Sequence, residues 1–146
     1  MNPIKFIIYG EAASKANSRE LATIGRGDSR RTILRKSDKA LSYEHSALRQ
    51  IPPAMRQRIE GPVCVTLRIW YASERPDLDE SLVLDILQDR WARPKGQDKR
   101  VLIQAGVYRN DRQVREKHVI HGIDKRNPRT EVTVEPLHAQ QVELAA

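Results

Sequence analysis

The chain has 146 residues, one domain's worth: enough to bury a core and too few for two ordinary ones. Hydrophobic residues make up 39% and charged residues 31%, which excludes a disordered chain and describes a globular protein with a large wet surface. Lys and Arg number 26 against 19 Asp and Glu, a formal +7 that suits a polyanionic partner, because neutralised phosphates release counterions. No apolar run approaches the roughly 20 residues of a membrane span, and the short mixed stretch at the start does not read as a signal peptide. The expected setting is cytoplasmic.

In chain order, Ile4 to Tyr9 is short, β-branched and aromatic, closed by Gly10, and reads as a strand. The polar segment from about residue 11 to 37 has little to bury. Six basic residues between Arg26 and Lys39 face two acids, so it is expected to be a mobile basic arm. Asp38 opens an expected helix to about Gln50, with Leu41, His45 and Leu48 on its inner face, ended by Pro52-Pro53. Val63 to Tyr71 alternates: Val63, Val65, Leu67, Ile69 and Tyr71 point one way, Cys64, Thr66, Arg68 and Trp70 the other. Cys64 reads as a small buried hydrophobe and Trp70 as core.

A helix from about Asp79 to Gln88 carries the stripe Leu82, Val83, Ile86 and Leu87. Asp89 to Arg100 reads as a polar loop and Val101 to Gln104 as a short helical piece. Arg115 to Ile123 and Thr130 to Glu135 read as strands joined by a turn, and residues 137–146 as a flexible tail. The expected fold class is α/β: a single small domain, 1–146 with its core at about 4–135. Its elements run β-α-β-α-β-β, with helices packed on one mixed sheet.

In a basic protein, acids that face a polyanion need an offset, and a divalent cation is one. Asp77 and Asp79 are two apart just after the Val63 strand, so in extended backbone their carboxylates point the same way while Leu78 turns inward. Asp111 precedes the Arg115 strand and reaches the same end of the sheet if the two strands are neighbours. Three carboxylates make an all-oxygen site suited to Mg²⁺ or Mn²⁺. The same residues also fit ordinary roles: Asp77-x-x-Glu80 is a capping box, and Asn110-Asp111 is a turn. Spacing alone favours these ordinary roles.

Four blocks, in order, change that balance. They are Ala13-Ser14-Lys15-Ala16-Asn17-Ser18-Arg19, Arg75-Pro76-Asp77-Leu78-Asp79, Leu84-Asp85-Ile86-Leu87-Gln88, and Gly106-Val107-Tyr108-Arg109-Asn110-Asp111-Arg112-Gln113-Val114. Together they resemble the RusA-type crossover-junction endodeoxyribonucleases of phages and prophages, over about residues 4 to 135. The resemblance implies a RusA-like fold and a homodimer that cuts four-way (Holliday) DNA junctions by paired nicks with Mg²⁺ or Mn²⁺. It carries the catalytic and metal roles to Asp77, Asp79 and Asp111, with Glu80 as a fourth candidate ligand where the family commonly has Asn. Lys15, Asn17, Arg19, Arg75 and Lys117 are the candidate DNA contacts. The family's lysine, four residues after the second Asp, is replaced by Val83. Lys117, Arg75 and Lys15 are the candidates for the missing charge.

Elsewhere, His118 and His121 are three apart on a strand and so face opposite ways; His118 is read as the neighbour of the site. Trp91, in the polar loop, is the candidate stacking residue. Gly25-Arg26-Gly27 lacks the strand and helix of a nucleotide-binding loop, so no nucleotide cofactor is expected. The alternative to a nuclease is a non-catalytic junction-binding protein on the same scaffold.

Overall fold

The computed structural model describes residues 2–14 and 19–137, the side chains of Arg19 and Glu20 excepted. Its centre is β4 (Val63–Tyr71), whose alternation becomes a buried face of Val63, Val65, Leu67, Ile69 and Tyr71. The partners of β4 are β7 (Val114–Ile123), parallel, and β8 (Arg129–Pro136), antiparallel; β1 (Ile4–Tyr9) pairs antiparallel with β8. The order β1-β8-β4-β7 makes a mixed sheet with β1 and β7 as its edges.

Two helices close one face. Ser37 accepts from the Ala40 N–H and caps α1 (Asp38–Gln50). The buried residues of α1 are Ala40, Tyr43, Glu44 and Ala47, not the expected Leu41–His45–Leu48 face. Small residues let the helix approach the sheet closely. Glu44 is tolerated inside because Lys36 and Arg90 both reach its Oε1, at 3.0 and 3.1 Å. At its C-terminal end, Gln50 exchanges two hydrogen bonds with the Tyr9 backbone and ties α1 to β1.

The second helix, α2 (Ser81–Ile86), is shorter than the sequence implies but buries the whole expected stripe, Leu82, Val83, Ile86 and Leu87. Each such side chain stabilises by about 1.5–3 kcal/mol. Its place follows from topology: β4 and β7 are parallel, so residues 72–113 must cross back over the sheet, and α2 lies on that crossover.

The element order therefore differs from the expected β-α-β-α-β-β. The basic arm contains a hairpin, β2 (Arg19–Ile24) with β3 (Arg31–Lys36), although residues 15–18 lie outside the described residues. The expected loop and helical piece are a second hairpin, β5 (Arg90–Ala92) with β6 (Val101–Gln104). The expected tail lies outside the described residues from 138 onward. Among the described residues no helix is long and apolar enough to cross a membrane.

The connection from β7 to β8 spans the end of β4, where Asp124 donates its N–H to the Tyr71 carbonyl. The Arg129 guanidinium at 2.9 Å, helped by the Asn127 and Arg126 N–H groups and opposed by partial burial, holds the Asp124 carboxyl below its ordinary value. A carboxyl lowered in the folded state stabilises above its unfolded value and loses that contribution as pH falls through the lowered one. Asp124→Asn is expected to flatten the acid limb of the melting temperature below about pH 4. An acid limb identical to that of the wild type would contradict the assignment.

Candidate functional site

One hydroxyl bridges the segment between β4 and α2. Tyr71, buried at the end of β4, donates to the Asp77 carbonyl and accepts from the Asp79 N–H, both at 3.2 Å. The Asp-Leu-Asp turn is thus pinned on either side of Leu78. Leu78 does not turn into the core as expected: it is 39% exposed, and Asp77 is exposed beside it. Asp79 is half-buried. Its Oδ1 accepts from the Ser81 N–H at 2.9 Å and its Oδ2 from the Ser14 hydroxyl at 3.1 Å. The expected Asp77–Glu80 capping box is not formed, since Glu80 stands at the N-cap of α2 without a side-chain cap bond.

Around this turn the chain gathers more acid. Glu11, just after β1, accepts from the Ala72 N–H at 2.7 Å and lies 3.5 Å from Lys39. Burial first, and then the fields of Asp79, Glu11 and Glu80, raise the Tyr71 hydroxyl above its ordinary value, against the hydrogen bond from the Asp79 N–H. Lys117 on β7 reaches Glu80 Oε1 at 2.6 Å, which places this candidate cation on the acidic turn. Val83, on the inner face of α2, is fully buried.

Asp111 arrives by a different route. The start of β7 pairs with the start of β4, whereas Asp77 and Asp79 follow the end of β4, so the strand-end argument does not hold. The bridge is α2. Asp79 is fixed at its N-terminal side, and the Asp111 N–H donates to Gln88 Oε1 at 3.1 Å just beyond its C-terminal side. Six residues at 1.5 Å each put about 9 Å of helix between these anchors. Asp111 also lies beside the buried Tyr108, whose hydroxyl donates to the Leu84 carbonyl at 2.6 Å. Burial, then the fields of Asp111 and Asp85, push the Tyr108 hydroxyl far above its ordinary value.

The rest of the fourth block is structural. Asn110 and Gln113 form a capping box around a 3₁₀ turn over Asp111–Gln113, the ordinary reading made concrete. Gln113 also donates to the Ile59 and Gly61 carbonyls. Gly106 fits where no side chain would: its N–H donates to the buried Asp89 carboxylate at 2.8 Å, and its carbonyl accepts from the Arg58 N–H.

The histidines are exchanged relative to expectation. His118 lies on the face of the sheet away from the helices, beside Glu116, while His121 stacks on Tyr71 with ring centroids 5.4 Å apart. Trp70, on that same outer face, is half-buried between Arg68 and Arg129 rather than in the core, and donates to Glu131. Trp91 is exposed, as expected, with the Arg100 guanidinium 5.0 Å from its ring centroid. Lys15 and Asn17 lie outside the described residues. Arg19 opens β2, and Arg75 is exposed on the turn before Asp77.

Sequence reasoning missed Glu11, Ser14, Tyr71 and His121 as members of this region. Ser14 had a signal, its place in the first block; Tyr71 read only as the last core residue of its strand. Tyr71→Phe tests its positioning role: loss of about 1 kcal/mol of stability is expected. A larger effect is expected on any activity of the Asp turn, carried in kcat rather than KM. Equal losses of stability and activity would make Tyr71 merely structural.

Neither a protein-family model nor a curated protein sequence matches the chain.

Proposed function

We propose that the protein is a metal-dependent, structure-selective endonuclease of the RusA type, which resolves four-way DNA junctions. The observation that carries the reading is the Tyr71 clamp. One buried hydroxyl fixes both Asp77 and Asp79 by their backbones and so sets where the two side chains leave the turn.

By donor type the acids suit a hard cation, although among the described residues their carboxylates do not stand as one compact group. Asp77, Asp79, Asp111 and Glu80 offer only oxygen, as Mg²⁺ or Mn²⁺ prefers. When bound, such an ion polarises a phosphate and lowers the pKa of a water. The chain's own residues do the rest. Ser14 and the Ser81 N–H hold the Asp79 carboxylate in one orientation. Lys117, already on Glu80, brings the positive charge for which Val83 has no group.

The β2–β3 hairpin presents Arg26, Arg30 and Arg31 to solvent, and Arg75 is exposed on the turn before Asp77. These would grip phosphates, and binding should weaken steeply with salt. Paired nicks need two equivalent sites, which a two-fold homodimer supplies.

Selectivity is tested by competition in Ca²⁺, which should support binding without cutting. Unlabelled four-way junction is expected to displace labelled junction at far lower concentration than linear duplex does. Equal displacement by linear duplex would overturn the structure-selective reading.

A further inference from the structure

On the face of the sheet away from the helices, β4 and β7 slip by one residue at their start. Val63 pairs with Val114 but Cys64 pairs with Glu116, so Arg115 is an extra residue in β7. Without that bulge, Arg115 would stand beside Cys64 and the Glu116 carboxylate would point toward the core. With it, Glu116 lies beside Cys64 and His118 beside Thr66, on one face. Bulges in parallel pairs are rare and commonly re-aim a side chain.

The result is a compact donor set. Cys64 Sγ, a Glu116 carboxylate oxygen and a His118 ring nitrogen all lie within 4.8 Å of one another. They line a cavity of about 320 Å³ together with Thr66, Glu135, Pro136 and Leu137. Glu135 is the β8 partner of Cys64, so the thiol has a carboxylate on both neighbouring strands. In a chain of net charge +7, this cavity has two carboxylates and neither Lys nor Arg among its described lining residues. That is a pocket for a cation.

We propose that Cys64, His118 and Glu116 form a second metal site, for a zinc-type transition ion, with Glu135 in reach as the fourth donor. The donor types decide the class: thiolate and imidazole select a borderline-soft ion, whereas Mg²⁺ takes oxygen. The scale agrees too. Bonds of about 2.0–2.3 Å place tetrahedral donor atoms about 3.3–3.8 Å apart. The observed spread, with no two of the three donor atoms more than 4.8 Å apart, is of that order. The ion ties the edge strand β7 to the centre of the sheet, on the opposite face from the Asp turn.

Cys64 is the only cysteine, so any thiolate-to-metal absorption reports on it alone. The full chain, kept reduced, is titrated with Co²⁺ and then Zn²⁺. A near-ultraviolet thiolate-to-cobalt band is expected to saturate at one ion per chain and to be bleached by Zn²⁺. Cys64→Ser should abolish the band. His118→Ala, at an exposed position that folding tolerates, should lower Co²⁺ affinity at least tenfold, the scale set by loss of even an outer-shell partner. Asp79→Asn should leave the band intact, which separates this site from the proposed nuclease site. Absence of the band in the wild type, or its survival in Cys64→Ser, would overturn the proposal.

Discussion

Asp79→Asn is expected to lower junction cutting by at least about a thousandfold while junction binding stays within about threefold of wild type. Asp79 is held at three points: one carboxylate oxygen accepts from Ser81 N–H and the other from Ser14, and its own N–H is fixed by Tyr71. Asn keeps the shape but puts an NH₂ group where an anionic donor is needed, so the metal is lost rather than displaced. On the proposed reading, binding rests on the basic hairpin and Arg75, which the substitution does not touch. Asp111→Asn should behave alike, and its test is sharper because Asp111 is anchored separately, through Gln88. Wild-type rates in both variants would remove the aspartates from the chemistry.

Gly106→Ala is expected to be the most damaging small substitution. An added Cβ would lie 2.4 Å from the Gln88 carbonyl carbon and 2.5 Å from both the Asp89 nitrogen and the Tyr108 carbonyl oxygen. All three are backbone atoms, so no side chain can swing aside. Overpacking of this kind costs about 3 kcal/mol, or roughly 10 °C in melting temperature for a domain of this size. Relief would also pull Gly106 away from Asp89 and Arg58, and so loosen the junction between Gln88 and Asp111. Cutting should therefore fall further than the loss of folded protein explains. An unchanged melting temperature would contradict this packing.

What was legible in the sequence follows from how each element is buried. In β4 one face is core and the other is not, so the alternation gave its bounds and both its faces. The stripe of α2 was legible for the same reason. The two hairpins were not. The β2–β3 pair leaves Leu21 and Leu34 exposed opposite one another, and its polar residues follow no period that burial imposes. In α1 the inward residues are two alanines, a tyrosine and a paired glutamate, a face that hydrophobicity cannot mark.

The candidate site was legible as a set of residue types and not as a place. Whether β7 runs parallel to β4 decides at which end Asp111 enters, and nothing local in the sequence sets that direction. The extra residue at Arg115 lies in the strand that carries both His118 and His121, and no turn residue marks it. Periodicity put the two histidines on opposite faces, as the structure has them, but could not say which faces the helices. Hence His121, not His118, stacks on Tyr71.

The central claim is tested most directly by strand-resolved cleavage of a synthetic four-way junction, each strand labelled in turn, with Mg²⁺ or Mn²⁺ and with chelator. The account predicts paired nicks in opposing strands that require the divalent ion, with linear duplex left uncut. Tight junction binding without nicks in either ion would contradict it, and would favour the non-catalytic junction-binding alternative.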